Sequence, residues 1–225
     1  MSGVEKPNNI RAVLQQTLKP LKSKIAIATS GGIDSASLVM AAKDLDKKQT
    51  IVSFTFDDFE SHDFKSARLL AKHFDLDFLP VILPSDQNEI VETVHYLIKE
   101  IKCKKKSAIE CMFPFVYLLK VLKENKIDML VTGLAADGHF GLSKKSMIHY
   151  SKDDEKFKRS RQEYFSTYES AHIIRLRTLC DKNQICLLNP YFHPAVFDLW
   201  INKNWQELNK PRQKEAIKKY FPELD

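Results

Sequence analysis

One short stretch constrains the chain more than any other: the segment Ser30-Gly31-Gly32-Ile33-Asp34-Ser35. It follows an apolar run over 24–29 that is typical of a buried parallel strand, and it precedes a run over 36–45 with apolar residues at helical spacing. Glycine lets the backbone approach phosphate oxygens closely, and the first N–H groups of a helix point at a bound anion. A strand, two glycines and a helix start therefore predict an anion site.

The polar side chains of this stretch extend the prediction. The hydroxyls of Ser30 and Ser35 are donors for phosphate, and Ser35 can also cap the helix. A bare Asp34 carboxylate would repel phosphate, so its presence predicts a Mg²⁺ ion between the two. The alternative interpretation is a polar turn before a capped helix. The sequence contains neither a Walker-type ending nor a Gly-x-Gly-x-x-Gly fingerprint.

The stretch resembles the Ser-Gly-Gly-x-Asp-Ser loop of the N-type ATP pyrophosphatases, which cleave ATP between the α and β phosphates. A second segment, Gly133-x-x-Ala136-Asp137-x-x-Phe140-Gly141, is similar to the Gly-x-Gly-Ser/Ala-Asp-Glu-x-Phe-Gly loop in the synthetase domain of asparagine synthetase and in β-lactam synthetase. Two departures stand in this loop, since Ala135 replaces a Gly and Gly138 replaces the Glu.

Two weaker similarities lie further along the chain. Residues 210–216 with Phe221-Pro222 are similar to the same family's Lys-x-x-Leu-Arg-x-Ala…Leu-Pro segment, and Pro190-Tyr191 is similar to its Pro-Phe turn. The resemblance implies that Lys210 contacts the leaving pyrophosphate, with an ordinary surface lysine as the alternative interpretation.

The resemblance also implies a role for each matching residue of the two loops. Four residues hold the phosphates, namely Ser30, Gly31, Gly32 and Ser35. The carboxylates of Asp34 and Asp137 hold Mg²⁺, so the implied cofactors are ATP and Mg²⁺. Ser53 and Phe54 lie where the family seats the adenine, and Gly133 lets the nucleotide approach.

Strands and helices alternate along the chain. The predicted strands are 24–29, 51–56, 78–83, 129–132 and 185–188, and the predicted helices between them are 36–45, 62–74, 86–102 and 111–125. Alternation predicts a doubly wound parallel α/β sheet, and the resemblance implies the strand order 3-2-1-4-5. Pro80 inside the third strand indicates a sheet edge. Because ligands bind at the carboxyl ends of such strands, we expect Asp34 and Asp137 to lie together.

A single ATP-pyrophosphatase-type domain is predicted over residues 1–225. It includes a lead-in helix over 9–21, within the segment 1–22, and a helical tail over 194–225. The polar and charged segment 143–175 is either a helical lid over the phosphate site or a solvated helical insertion. In the helix over 111–125, Pro114 is expected in the first turn, where proline is tolerated.

Composition and charge exclude several classes of protein. The 35 Lys and Arg residues outnumber the 29 Asp and Glu residues, and the net charge of +6 favours polyanionic ligands such as nucleotides. The four cysteines form no Cys-x-x-Cys pair, which argues against a zinc ribbon or a disulfide framework. No stretch approaches the roughly 18 apolar residues of a membrane span. We therefore expect a soluble, cytoplasmic protein without a membrane partner.

Three functions stay open from the sequence. The first is an AMP- and pyrophosphate-forming ligase that adenylylates an acceptor carboxylate or carbonyl for attack by an amine or by ammonia, which a partner protein can supply. The second is modification of a nucleobase in tRNA or DNA by the same activation, suggested by the net charge and the basic residues of 144–161. The third is an ATP-binding module without turnover, suggested by Gly138 and by the lack, after Pro222, of the segment with the family's catalytic lysine. The acceptor is an unknown small molecule or a group on a nucleic acid.

Overall fold

A five-stranded parallel sheet forms the centre of the computed structural model, which describes residues 7–22, 24–142, 144–166 and 173–224. The strands are β1 (Ile25–Ala28), β2 (Gln49–Phe56), β3 (Asp77–Leu83), β4 (Met129–Thr132) and β5 (Cys186–Leu188). They lie in the order β3-β2-β1-β4-β5. The predicted doubly wound fold and its strand order are thus confirmed, and β3, which contains Pro80, is an edge strand.

Helices cover both faces of this sheet. In chain order they are α1 (Ile10–Leu18), α2 (Ile33–Lys43), α3 (His62–His73), α4 (Gln87–Lys99), α5 (Lys106–Glu124), α6 (Ala136–Phe140), α7 (Lys144–Tyr150), α8 (Asp154–Ser166), α9 (Ile173–Lys182), α10 (Pro194–Trp200), α11 (Trp205–Asn209) and α12 (Glu215–Lys218). Two short 3₁₀ helices are present as well, Pro190–Phe192 between β5 and α10 and Pro222–Leu224 after α12. None of the helices in these described ranges has the length and apolar character needed to cross a membrane.

The sheet separates two hydrophobic cores, and successive residues of its central strand β1 belong to different cores. Ile25 and Ile27 belong to the core that contains α1, α2 and the C-terminal helices, whereas Ala26 belongs to the core that contains α4, α5 and α9. Successive side chains of a strand point to opposite faces, so a strand covered on both sides is apolar throughout. This explains the uninterrupted apolar run that precedes the glycine pair.

Helix α5 differs from its prediction. The sequence placed its start at Cys111 with Pro114 in the first turn, and that is wrong, because α5 begins at Lys106 and Pro114 lies in its interior. The ring of an interior proline removes one helical hydrogen bond. Ala108 and Met112, which lie before the proline, are both buried in the second core. Burial of this apolar face offsets the lost hydrogen bond.

Three further segments of the chain were given predicted structures. The lead-in helix is shorter than predicted, since α1 covers Ile10–Leu18, and residues 1–6 of the predicted segment lie outside the described residues. The segment 143–175 contains α7, α8 and the start of α9, with residues 143 and 167–172 outside the described ranges. The tail contains three short helices and a 3₁₀ turn. Whether the segment 143–175 covers bound phosphates stays a prediction.

Helix α8 is anchored by a buried arginine. Arg161 is only 2% exposed and donates hydrogen bonds to the backbone oxygens of Trp200 (2.5 Å), Ile201 (3.0 Å) and Lys203 (2.7 Å). These are carbonyls at the end of α10, which have no partners within that helix. The guanidinium carbon also lies 4.0 Å from the centre of the Phe157 ring. Arg161 therefore ties α8 to the end of α10.

We expect Arg161→Met to lower the free energy of unfolding by about 3 kcal/mol, because the backbone oxygens of Ile201 and Lys203 lose their donor and that of Trp200 keeps only the N–H of Lys203. Urea denaturation measures this change. Arg159→Met is the matched control, since Arg159 is exposed on the same helix, and its effect should stay within about 0.5 kcal/mol. Equal effects of the two substitutions would contradict the anchoring role of Arg161.

Candidate functional site

The loop between β1 and α2 has no room for a side chain at Gly31. Gly31 has φ +76°, and a Cβ atom there would lie 2.3 Å from the Cβ of Ser66 on α3. The hydroxyl of Ser35 donates to the oxygen of Gly32 (3.1 Å) and accepts from the N–H of Ser30 (3.3 Å). The Ser30 hydroxyl accepts from the N–H of Gly32 at 3.3 Å. The two serines, predicted to hold phosphate, thus also hold the shape of the loop.

The start of α2 has no side-chain cap, unlike the starts of α1, α3 and α4. Side chains of Asn9, Ser61 and Asp86 cap α1, α3 and α4, whereas Gly32 at the start of α2 has no side chain to do so. The first N–H groups of a helix without a cap are left for another acceptor, and the helix dipole makes this end positive. Ser30 and Gly32 are exposed, so an anion from solvent can reach this point.

The second loop, between β4 and α6, lies directly against the first. A Cβ atom on Gly133 would be 3.4 Å from the Cβ of Asp34 and from the nitrogen of Ser35. Ala135 has φ +74°, a left-handed conformation that costs a residue with a Cβ roughly 1–2 kcal/mol. Glycine has no Cβ and avoids this cost, which explains why the family with the similar loop has Gly at that position. The loop carries Asp137 in the first turn of α6, where its side chain is 77% exposed.

The structure brings Asp34 and Asp137 together through a residue that the sequence did not single out. The Nζ atom of Lys214 lies 2.5 Å from Oδ2 of Asp34 and 2.7 Å from Oδ1 of Asp137. Lys210, the predicted lysine, is exposed to solvent. A signal was present, because Lys214 stands at the arginine position of the family's Lys-x-x-Leu-Arg-x-Ala pattern.

Burial shapes the electrostatics of this ion pair. It raises the pKa of Asp34, against the opposing effect of the Lys214 ammonium. For Lys214, burial lowers the pKa, but the carboxylates of Asp34 and Asp137 outweigh this effect and the pKa lies above its usual value. Lys214 is therefore charged at neutral pH and neutralises part of the negative charge of the pair.

The two carboxylates suit a magnesium ion bound together with phosphates. The Oδ1 atom of Asp34 is buried and has no hydrogen-bond partner among the described residues. Within the same ranges, no three His, Cys, Asp or Glu side chains group as a cluster of metal ligands. Mg²⁺ is commonly held by one or two carboxylates plus phosphate oxygens and water, so two carboxylates beside an anion site are sufficient. The residues present therefore fit the ion.

A buried hydrogen-bonded chain supports Asp34 from behind. The Ser37 hydroxyl donates to the backbone oxygen of Asp34 (2.9 Å) and accepts from the hydroxyl of Tyr191 (2.6 Å). Tyr191 is fully buried, and burial raises its pKa well above the usual value, so it stays a phenol. Its backbone oxygen lies 2.9 Å from Nε2 of His139, which belongs to the loop of Asp137. One chain of contacts thus links both acidic loops to the turn after β5.

The two residues predicted to contact adenine lie on the side of the sheet where β1 ends. Ser53 and Phe54 are inside β2, but they follow Val52, the partner of the last β1 residue, Ala28. Ser53 is buried and Phe54 is 36% exposed. Both residues therefore stand beyond the end of β1, on the side where the glycine loop leaves the sheet.

Comparisons with known proteins identify one family. A family model described as asparagine synthase matches residues 10–215, a range that includes both loops and Lys214. No sequence among curated proteins matches the chain. The solved structures that it is similar to include the U34-tRNA thiolase NcsA from Methanococcus maripaludis with its 4Fe-4S cluster. That similarity has a TM-score of 0.45 and 15% sequence identity, and it covers 95% of this chain and 70% of that chain.

We expect Gly31→Ala to lower the free energy of unfolding by about 3 kcal/mol, because the new methyl group meets Ser66 and the backbone is left-handed. Gly32→Ala is the matched control, since its φ is −72° and the nearest atom to a Cβ is the flexible Ser30 hydroxyl at 3.3 Å. We expect a change within about 0.5 kcal/mol for Gly32→Ala. Thermal and urea denaturation measure both, and equal losses would contradict the described turn.

His139 predicts a pH dependence of stability. Burial lowers its pKa to about 3, whereas an unfolded chain binds the proton near pH 6.5. The unfolded state therefore gains a proton that the folded state lacks, and stability falls as the pH drops below 6.5. The loss attributable to His139 is about 2 kcal/mol between pH 6.5 and 5.

Urea titrations at several pH values measure this slope. His139→Gln should reduce it by nearly one proton, whereas His149→Gln, at an exposed position, should leave it unchanged. A slope that does not change in His139→Gln would show that His139 is not the group responsible.

Proposed function

The chain belongs to the asparagine synthase family, within the N-type ATP pyrophosphatase superfamily, and on that premise we propose that it cleaves ATP between the α and β phosphates to adenylylate an acceptor. The acceptor is a carboxylate or a carbonyl group, and an amine or ammonia then displaces AMP. The observation that carries this proposal is the contact of two acidic loops beside a helix start without a cap.

The glycine loop is suited to hold the phosphates. The N–H groups at the start of α2 and the hydroxyl of Ser30 supply donors, and the positive end of the helix favours the anionic ligand. Gly31 and Gly32 let phosphate oxygens come close to the backbone. These contacts align the α phosphorus with an attacking oxygen, and alignment of this kind accounts for much of the catalysis of phosphoryl and nucleotidyl transfer.

Charge stabilisation is the second requirement of the reaction. The acceptor oxygen forms a bond with the α phosphorus while the bond from that phosphorus to the bridging oxygen breaks, and pyrophosphate leaves with the additional negative charge. Asp34 and Asp137 would hold Mg²⁺, which when bound supplies neutralisation of this charge. Ser53 and Phe54 would contact the adenine, Gly133 leaves room for the nucleotide, and Lys210 is a candidate contact of the pyrophosphate.

A cleft of about 520 Å³ is our candidate for the acceptor site. It lies beside Asp137, between the second loop and α8, and its lining includes Gly138, Tyr150, Ser160 and Tyr164. Its position next to the proposed metal ligand would place an acceptor within reach of the α phosphate. Aromatic rings with polar tips suit a ligand that has both apolar and polar groups.

A second candidate function is activation of a nucleobase carbonyl in a nucleic acid. Helix α8 contacts the second loop through Tyr164, and it exposes Lys156 and Arg159, each next in sequence to a residue that lines the cleft. Basic residues near an active site attract the phosphate backbone, and the net charge of the chain is +6. The acceptor test below separates the two candidates.

The test is exchange of ³²P-labelled pyrophosphate into ATP, together with AMP formation, in the presence of candidate acceptors. A fraction of small metabolites and a preparation of tRNA form the two arms. Exchange that depends on one arm identifies the acceptor class. If the protein binds an ATP analogue but shows no exchange with either arm, the proposed turnover is refuted and an ATP-binding module remains.

We expect Asp34→Ala and Asp137→Ala each to lower AMP formation by about 100-fold or more, since each removes a ligand for the cation. Asp198→Ala, at an exposed position on α10, is the control and should keep its activity. Circular dichroism checks that the fold persists. Full activity of either site variant with Mg²⁺ present would refute the metal assignment.

A further inference from the structure

The ammonium group of Lys214 lies where a cation shared by the two carboxylates would lie. Its Nζ atom contacts Oδ2 of Asp34 at 2.5 Å and Oδ1 of Asp137 at 2.7 Å. We propose that Lys214 occupies the cation position of the free protein and leaves it when nucleotide and divalent cation bind together. This inference rests on the proposed function, because it concerns the same carboxylates and the same nucleotide.

The backbone of Lys214 is fixed to the loop that carries Asp137. Its N–H donates to Oδ1 of Asn209 (3.2 Å), and the amide of buried Asn209 donates to the backbone oxygen of Phe140 (3.1 Å) at the end of α6. Lys214 also has φ +60°, a left-handed conformation that a lysine rarely adopts. Several contacts therefore hold this residue where its side chain reaches both carboxylates.

The side chain itself can move while this backbone stays in place. A lysine has a flexible four-carbon stem that ends in a compact charge with three donors. The Lys214 side chain is 15% exposed, so it is not completely enclosed by the protein. Only the stem has to change its rotamer for the charge to shift from the carboxylates to a neighbouring anion.

Electrostatics couples that shift to ligand binding. A divalent cation placed between Asp34 and Asp137 with the ammonium still present brings like charges together, so the metal alone binds weakly. A triphosphate on the glycine loop lies beside Asp34, because the carboxylate and the loop belong to the same segment. The phosphate oxygens offer the ammonium a new acceptor and so free the two carboxylates for the metal. Nucleotide and metal therefore favour each other's binding.

Binding of Mn²⁺, measured by electron paramagnetic resonance without any nucleotide, tests this inference. Lys214→Met removes the charge and keeps a side chain of similar length. We expect it to bind Mn²⁺ about tenfold more tightly than the unmodified chain. Lys219→Met is the matched control, since Lys219 is exposed just beyond α12, and it should not change Mn²⁺ binding. If Lys214→Met does not fold, Lys214→Gln replaces it.

A second titration uses α,β-methylene ATP, in which the scissile bond cannot be cleaved. Its apparent affinity should rise about tenfold or more when Mn²⁺ is added to the unmodified chain, and clearly less in Lys214→Met. Equal Mn²⁺ affinity of the two proteins without nucleotide overturns the inference.

The two proposals fail in different ways. Exchange activity together with equal Mn²⁺ affinities refutes only the role of Lys214. Absence of Mn²⁺ binding in every variant, even with the analogue present, refutes the metal site itself and the proposed function with it.

Discussion

The contact that the site depends on joins three charged groups from distant parts of the chain. Asp34 follows β1, Asp137 follows β4 and Lys214 lies near the last helix, yet one ammonium touches both carboxylates. Two carboxylates held near each other repel, and burial of one of them adds to the free-energy cost. The Lys214 ammonium offsets part of this cost. The C-terminal helices are therefore part of the site, because they position the lysine.

The buried support behind Asp34 adds to this organisation. Ser37, Tyr191 and His139 connect α2, the turn after β5 and the loop of Asp137 by hydrogen bonds of 2.6 to 2.9 Å. His139 and Tyr191 both remain neutral, since burial disfavours their charged forms. Neutral, hydrogen-bonded groups transmit position without adding charge. The carboxylates can thus change partners at the surface of the site while their backbones stay fixed.

The features that could be predicted most directly from the sequence are those whose residues are adjacent in the chain. The glycine pair, the apolar strand before it and the helix after it are adjacent in sequence, so the loop was evident without coordinates. The strand order was implied by the family resemblance, and the meeting of Asp34 with Asp137 follows from the binding of ligands at the carboxyl ends of parallel strands. Lys214 was missed because the family segment that contains it pointed to Lys210, and no periodic pattern connects Lys214 with Asp34, which is 180 residues away. The start of α5 was predicted wrongly because burial of its apolar face offsets the hydrogen bond that Pro114 removes.

The departures from the family's loop have a physical explanation in α8. Gly138 stands where the family has Glu, and a Cβ atom at that position would lie 2.2 Å from the ring of Tyr164. The ring therefore takes the space in which a glutamate side chain would begin. Burial raises the pKa of Tyr164 to about 12, and the Asp137 charge acts in the same direction, so the group stays neutral. A glutamate would add a third carboxylate to a site with one ammonium, whereas the phenol adds no charge. The loop and α8 consequently form one unit, in which Gly138 leaves the space that the ring of Tyr164 occupies.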